Sequence, residues 1–186
     1  MDIELVEKTI DTKMHYIKSE SGNEYRYSLY KDWRNNKSNC NDKKLVCIML
    51  NPSKAKCVEG DNTITNIINY FSKENFERLV VYNLFALMCT EPKELKNRES
   101  SYEELNIKFI KEELKMLNNE DIIFIGWGRI EKKSRYVKNQ ANSILDLLYP
   151  YESKLRCFRD KNGIMPRHPV VIGKEWTLEM YKINKY

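Results

Sequence analysis

Asparagine and histidine side chains lie directly beside apolar segments at several points of this chain, where they could act on a ligand. Asn51 and Asn83 each follow a run of large apolar residues typical of a buried strand, and His168 shortly precedes the run Val-Val-Ile. An amide can orient a water molecule, and a histidine can stabilise negative charge on a leaving group. In an open α/β sheet, ligands bind in the crevice at the carboxyl ends of the strands. The sequence therefore predicts one pocket shared by these side chains.

The polar residues that follow the first apolar run could form a turn and a helix cap, or they could bind or activate a ligand. Asn-Pro pairs such as Asn51-Pro52 initiate turns, and Ser53 could cap a helix. Alternatively, the Asn51 amide orients a water or a ligand group, while Pro52 keeps the loop rigid because its ring fixes φ. Asp61 and Thr63 are typical of a helix start, and Asp61 is also a carboxylate that could activate water. Both interpretations remain open.

Further side chains could contact a ligand or belong to the fold. Asn83 interrupts Val-Val-Tyr-Asn-Leu-Phe, so its amide either locks the backbone or reads a ligand. Phe85 could stack on a base or pack in the core. Trp127 lies between two glycines, which allow a close backbone approach, or it caps the core. Arg167 gives His168 a cationic neighbour in a predicted loop, which favours a functional role for this histidine.

The basic residues are concentrated in the second half of the chain. Overall, 32 Lys and Arg oppose 27 Asp and Glu, and this net charge of +5 permits nucleic-acid binding without requiring it. Residues 128–168 hold ten basic residues against four acidic ones. This segment is either a solvated surface or a phosphate-binding face. The candidates for DNA contacts are Arg129, Lys132, Lys133, Arg135 and Lys138.

Composition and motifs argue against several classes of protein. The 5 cysteines form no C-x-x-C pair and there are only 2 histidines, so we expect neither a metal site nor a cofactor. No P-loop, dinucleotide-binding or nucleophile-elbow motif occurs. No apolar run approaches the ~20 residues of a membrane helix, and the N-terminal residues do not resemble a signal peptide. A soluble, cytoplasmic protein without membrane contact is expected.

The spacing of apolar residues predicts alternating strands and helices. Strands are expected at residues 25–33 (at or near a sheet edge), 45–50, 79–82, 122–125, 155–158 and 170–172. Helices are expected at 62–73, at 101–117, up to about 148, and from 174 onward. This alternation predicts a single α/β domain over residues 1–186, a three-layer sandwich with a central, mostly parallel sheet. Residues 1–24 would be an N-terminal extension, 25–172 the core and 173–186 a C-terminal helix.

Short motifs in a fixed order connect the chain to a known family. They read R-Y-S-L-Y-K-D-W, I-M-L-N-P-S-x-A, D-N-T-I, Y-N-L-F-A, E-P-K-E-L, G-W-G and P-R-H-P. Together they resemble the domain-of-unknown-function 1643 family of bacteria and phages, over roughly Tyr25 to Ile172. Membership of that family assigns no activity.

The order of the motifs also resembles, more distantly, the uracil-DNA glycosylase superfamily. This resemblance implies a uracil-DNA-glycosylase-like fold in which Asn51 positions the attacking water, Asn83 reads the base and the His168-Pro169 loop enters the minor groove. The chain lacks the G-Q-D-P-Y motif of the uracil-specific members, and Val170 lies where a serine usually follows His-Pro. These departures argue against uracil as the substrate. The cysteine spacing of the iron–sulfur members is also missing, so no cluster is implied.

Three functions are consistent with these residues. The first is a DNA glycosylase that hydrolyses the N-glycosidic bond of a modified base, in foreign or phage DNA, with DNA as its partner. Asn51 or Asp61 would supply the water, Phe85 the stack and His168 the contact to the departing base. The second is a non-catalytic nucleic-acid or nucleotide-binding module on the same fold. The third is an enzyme that acts on free nucleotides or nucleosides.

Overall fold

The computed structural model describes residues 9–34, 43–53, 61–90 and 92–186. Within these residues, seven strands form one sheet and three α-helices pack against it. The strands are β1 (Asp11–Lys18), β2 (Glu24–Asp32), β3 (Lys44–Met49), β4 (Arg78–Asn83), β5 (Ile122–Ile125), β6 (Leu155–Arg159) and β7 (Thr177–Met180). The helices are α1 (Asn62–Phe71), α2 (Ser100–Lys115) and α3 (Arg135–Leu148). Short 3₁₀ turns lie at Ser72–Glu74, Pro92–Asn97, Ile130–Lys132 and Tyr149–Lys154.

The sheet is parallel in its middle and antiparallel at both edges. Its strand order is β1-β2-β4-β3-β5-β6-β7. The four strands β4, β3, β5 and β6 pair in parallel, whereas β1, β2 and β7 join antiparallel. The expected α/β class with a mostly parallel central sheet is therefore confirmed. The predicted strand at 25–33 is β2, which lies next to the edge.

The central strands are buried on both faces because helices cover both. All six residues of β3 are buried, and their side chains alternate between two apolar clusters. Leu45 and Cys47 pack with α1 on one face, and Val46 and Ile48 pack with α2 and α3 on the other. The sequence Lys44–Met49 reads as a nearly continuous apolar run for this reason.

Each helix presents an apolar stripe to the sheet, as its sequence spacing predicts. In α1 the stripe contains Ile64, Ile67 and Phe71, and in α3 it runs from Val137 to Leu148. In α2, Ile110 and Leu114 are buried, but Leu105, which the same apolar spacing places with them, is 40% exposed. Leu105 lies on a flank of α2 beside the β1–β2 part of the sheet. None of the helices in the described part of the chain has the length and apolarity needed to cross a membrane.

The ends of the sheet differ from the predicted elements in three places. No strand was predicted within the N-terminal extension, where Asp11–Lys18 form β1, because an edge strand with little burial shows no clear apolar alternation. The segment Val170–Ile172 is a turn after Pro169, and Val170 and Val171 are 52% and 67% exposed. The expected C-terminal helix is instead β7, because pairing with β6 and burial of Tyr181 outweigh local helix propensity.

Candidate functional site

The order of the parallel strands creates a crevice at one end of the sheet. From β3 the chain crosses to β4 on one side, and from β4 it returns to β5 on the other side of β3. At such a reversal of direction, the loops after the two central strands diverge and leave a crevice beyond their carboxyl ends. Asn51 follows β3 and Gly128 follows β5. The residues predicted to act on a ligand can therefore be located relative to this crevice.

The loop after β3 is fixed by the amide nitrogen of Asn51. This nitrogen donates to the Cys89 carbonyl oxygen at 2.8 Å and to the Pro52 carbonyl oxygen at 3.3 Å. The Cys89 N–H in turn donates to the Pro52 carbonyl at 3.1 Å, and Pro52 is buried. No hydrogen bond within the described residues uses Asn51 Oδ1. The side chain of Asn51 is half-buried. Its amide nitrogen holds the loop, and its amide oxygen is left as an acceptor.

Asp61 connects this loop to the start of α1. Its Oδ1 accepts the Thr63 backbone N–H at 2.8 Å, which confirms that Asp61 caps the helix. Its Oδ2 accepts the Ser53 hydroxyl at 3.1 Å. The two oxygens place the carboxylate between the β3 loop and the helix N-terminus, where partial positive charge favours an anion. Residues 54–60, which join the two, lie outside the described part of the chain.

His168 lies against the loop after β5. A Cβ atom added at Gly128 would be 3.4 Å from His168 Cβ, and Gly128 has a φ of +74°, so the glycine suits both the close contact and the turn. The Val170 N–H donates to His168 Nδ1 at 3.2 Å. Since Nδ1 accepts, the ring proton of the neutral form is on Nε2, which is left as a donor.

Burial and two charged neighbours set the pKa of the His168 ring. Burial lowers its pKa below the ordinary value, Asp61 raises it through its negative charge, and Lys133 lowers it. The net shift is downward, so the ring is mainly neutral near pH 7. The hydrogen bonds from Ser53 to Asp61 and from Asn66 to the Val170 carbonyl oxygen place the β3 loop, the start of α1 and the His168 loop at the same end of the sheet.

A residue that the sequence did not single out holds this arrangement together. Asn66 of α1 donates its side-chain amide to the carbonyl oxygens of Val170 at 2.8 Å and Pro169 at 3.2 Å. Asn66 therefore fixes the His168 loop to the same helix that Asp61 caps. Its only sequence signal is a polar residue inside an amphipathic helix, which does not distinguish it from any solvent-facing position.

Comparison with known protein families shows which family the chain belongs to. Residues 26–170 match the family described as protein of unknown function DUF1643, which covers well over half of the chain. The chain belongs to the DUF1643 family. Searches among curated proteins and among solved structures give no match. The expected family is confirmed, and its matched region contains Asn51, Asp61, Gly128 and His168, so the whole candidate cleft lies within the DUF1643 region.

Besides Pro52, three residues of this DUF1643 protein that were predicted to bind a ligand are buried. Phe85 is fully buried, with its ring edge-on to Tyr136 at 6.0 Å. Trp127 is 1% exposed and packs edge-on against Tyr181 at 6.2 Å. The structure thus places both rings in the core instead of in the cleft. Asn83 is also 1% exposed, and neither its amide nitrogen nor its amide oxygen has a hydrogen-bond partner among the described residues.

One predicted DNA-contacting residue, Arg129, forms an ion pair with Glu131. Arg167, which was predicted to lie in the ligand site beside His168, packs over the Trp176 ring at 5.1 Å, with Nε 3.6 Å from Asp160. These contacts hold the Arg167 side chain beside β6, and neither of them orients it toward the cleft. The remaining four predicted contacts make no ion pair with other described residues and lie on or just before the start of α3: Lys132, Lys133, Arg135 and Lys138.

Proposed function

We propose that this protein hydrolyses the N-glycosidic bond of a modified base in DNA, as DNA glycosylases do. One observation carries the proposal. An acceptor oxygen of Asn51, the carboxylate of Asp61 and the Nε2–H of His168 lie in loops and a helix start that meet at the switch point of the sheet. The more distant resemblance of the motif order to the uracil-DNA glycosylase superfamily supports the same reaction.

The chemistry of the bond requires these types of group. Water attacks C1′ of the sugar, the C1′–N bond breaks, and its electron pair leaves with the base as an anion. Asn51 Oδ1 orients the water, and the Asp61 carboxylate accepts the proton that the water loses. A neutral His168 donates from Nε2 to the departing base, which stabilises the charge that develops there. No step requires a metal ion.

The surroundings of the cleft supply contacts for DNA. A base in a duplex must leave the stack to reach such a cleft, so the enzyme must hold the backbone on either side. Lys132, Lys133, Arg135 and Lys138 provide positive charge at the start of α3, and the charge of Lys133 contributes to lowering the pKa of His168. Phosphate contacts of this kind supply sequence-independent affinity.

Asn83 supplies a means of selecting the base. A buried amide with two unused hydrogen-bonding atoms is costly, because its donor and acceptor have lost water without gaining a partner. The edge of a pyrimidine or purine offers a matching acceptor and donor. In this proposal, the Asn83 amide forms hydrogen bonds with that edge of the base. Phe85 and Trp127 do not contact the base and pack in the core.

The experiment is base excision measured on one set of variants. Oligonucleotides with different modified bases are incubated with the protein, and abasic sites are cleaved with alkali; free nucleosides are tested in parallel. Asn51→Ala and His168→Ala should each slow single-turnover excision on the order of a hundredfold. Asn83→Ala should change which base is accepted. Asn119→Ala, at an exposed position in the loop before β5, is the control and should match the wild type.

Folding must be measured on the same proteins, because the three residues could serve the structure alone. In that case each variant would melt at a lower temperature and lose activity only in proportion to the unfolded fraction. Folded Asn51→Ala and His168→Ala variants with full activity would contradict the catalytic assignment. Cleavage of free nucleosides but not of DNA would favour the third function considered above.

A second candidate function is a non-catalytic nucleic-acid or nucleotide-binding module. The burial of Asn83, Phe85 and Trp127 favours it, because a flipped base would find these side chains covered. The same assay separates the two candidates. Salt-dependent DNA binding without excision of any modified base would support the module.

A further inference from the structure

A pocket on one face of the sheet lies away from the candidate cleft, toward the starts of β3 and β4. It is a groove of about 650 Å³ between one flank of α2 and the β1–β2 part of the sheet. Lys44 and Arg78, which begin β3 and β4, lie at its floor, whereas the cleft lies beyond the ends of the central strands. Its volume lies within the range of small-molecule sites. This groove and the cleft are therefore separate features.

The helix α2 packs against β2 and reaches β1 through Phe109, whose ring centroid lies 5.7 Å from that of His15. The groove lies beside this contact, between the α2 flank that carries Leu105 and the strand residues Lys13 and Tyr30. The β1–β2 register contains a bulge, at which Tyr27 has no partner on β1. The bulge changes which residues of β2 face α2. As a result both Tyr27, stacked on Phe109 at 4.9 Å, and the later residues Ser28 and Tyr30 lie on this face.

The floor of the groove is polar and internally bonded. Lys44 forms an ion pair with Glu113, and Tyr82 donates its hydroxyl to the other oxygen of Glu113 at 3.0 Å. Lys44, Tyr82 and Glu113 are each less than 10% exposed. His15 Nδ1 lies 2.9 Å from the Ser28 hydroxyl. Because Glu113 is used by Lys44 and Tyr82, the negative charge on the floor is already compensated.

The walls combine aromatic surface with positive charge. Phe109, Leu105 and Met116 of α2 supply apolar surface, and Leu105 and Met116 are 40% and 64% exposed. Two exposed lysines on opposite sides, Lys13 of β1 and Lys108 of α2, make no ion pair within the described residues. Four basic side chains line the groove against two carboxylates, of which Glu112 also pairs with Lys115. A ligand with an apolar ring and a negative group complements both properties.

We propose that this groove is a binding site for a small aromatic anion, whose ring lies against Phe109 and whose acidic group lies between Lys13 and Lys108. The acidic group is a phosphate or a carboxylate, since both place oxygens within reach of the two ammonium groups. The proposal does not depend on the function assigned to the cleft. It predicts a second ligand site in a protein whose first site lies beyond the carboxyl ends of the central strands.

The test uses probes of one shape and different charge. 1-Naphthyl phosphate, 1-naphthoate and neutral 1-naphthol are titrated into the ¹⁵N-labelled full chain, with calorimetry on the same samples. Both anions should bind and shift the amide signals of residues in α2 and β1, whereas 1-naphthol should bind at least about tenfold more weakly. A clear preference between the two anions identifies the acidic group.

Matched charge reversals locate the site. Lys108→Glu and Lys13→Glu should each weaken binding of 1-naphthyl phosphate about tenfold. Lys111→Glu makes the same change at an exposed position of α2 outside the groove and should leave binding unchanged. Equal effects of Lys108→Glu and Lys111→Glu would overturn the proposal. So would equal binding of 1-naphthol, absence of binding at millimolar probe, or shifts confined to Asn51 and His168.

Discussion

Replacing Glu103 by glutamine should destabilise the protein far more than the same change at its neighbour Glu104. Glu103 lies on α2 and is 9% exposed, and its two oxygens accept the backbone N–H groups of Ala86 at 2.9 Å and Leu87 at 3.2 Å. Glutamine keeps the shape but has one acceptor oxygen, so its NH₂ group would face a backbone donor. One buried N–H would then lack a partner, which costs about 1–3 kcal/mol.

Urea unfolding followed by circular dichroism at pH 7 measures this cost. For a domain of this size, the expected loss corresponds to a fall in melting temperature of roughly 2–4 °C per kcal/mol. Glu104→Gln removes the same charge from the same helix at an exposed position, and should change the stability by less than about 0.5 kcal/mol. If the two variants unfold at the same urea concentration, the two hydrogen bonds of Glu103 do not stabilise the fold as argued.

The pH dependence gives an independent check of the same residue. Burial raises the pKa of Glu103, with the two backbone hydrogen bonds and Arg98 acting in the opposite direction. The folded state therefore retains the proton better than the unfolded state does. The resulting stability is fully present below the ordinary glutamate value of about 4.3 and is lost as the pH rises through the raised pKa. The stability gap between wild type and Glu103→Gln should narrow over that window, and a gap that widens with pH would contradict the raised pKa.

Three further outcomes are expected. Asp61→Ala removes the acceptor of the α1 cap and should lower the free energy of unfolding by about 1 kcal/mol, measured in urea; an unchanged midpoint would mean that the cap contributes nothing. Because burial lowers the pKa of His168, proposed excision should rise with pH and level off below the ordinary value of about 6.5. A pH–rate profile that still rises above pH 7 would disagree with a neutral donor. Charge reversal at Lys132 and Lys133 should weaken DNA binding and lower its salt slope by about one unit per lost phosphate contact, and an unchanged slope would remove these lysines from the interface.

The central part of the fold was predictable because its signals are local and strong. Lys44–Met49 and Ile122–Ile125 are apolar runs that suit strands buried on both faces, and Asp61 lies where a helix cap is expected. Asn51, Asn83 and His168 were expected to share one pocket because each follows or borders an apolar run, but the run that follows His168, Val170–Ile172, is not a strand. The edge strand β1 and the final strand β7 were not predictable. Their exposed residues carry little periodicity, and their structure depends on partners elsewhere in the chain.

The depth of a side chain at a strand end could not be deduced from sequence. Asn83 follows an apolar run as Asn51 does, yet Asn51 is half-buried and Asn83 is 1% exposed. The difference arises because residues 84–89, which follow Asn83, remain buried and pack against β2 and α2. Asn66 and Glu103 hold loops that are distant in the chain, and such long-range hydrogen bonds leave no mark on the local sequence.

The candidate cleft draws on segments that are far apart in the chain, and this has a consequence for folding. β3 must pair with both β4 and β5 before the Asn51 loop and Gly128 become neighbours, and His168 joins from still farther along. Contacts of such sequence separation cost more chain entropy to close and slow folding. The basic start of α3 needs only local structure. Under the proposed function, a partly folded chain would carry the charge that attracts nucleic acid before the groups for base excision come together, and the proposed excision would report on completed folding.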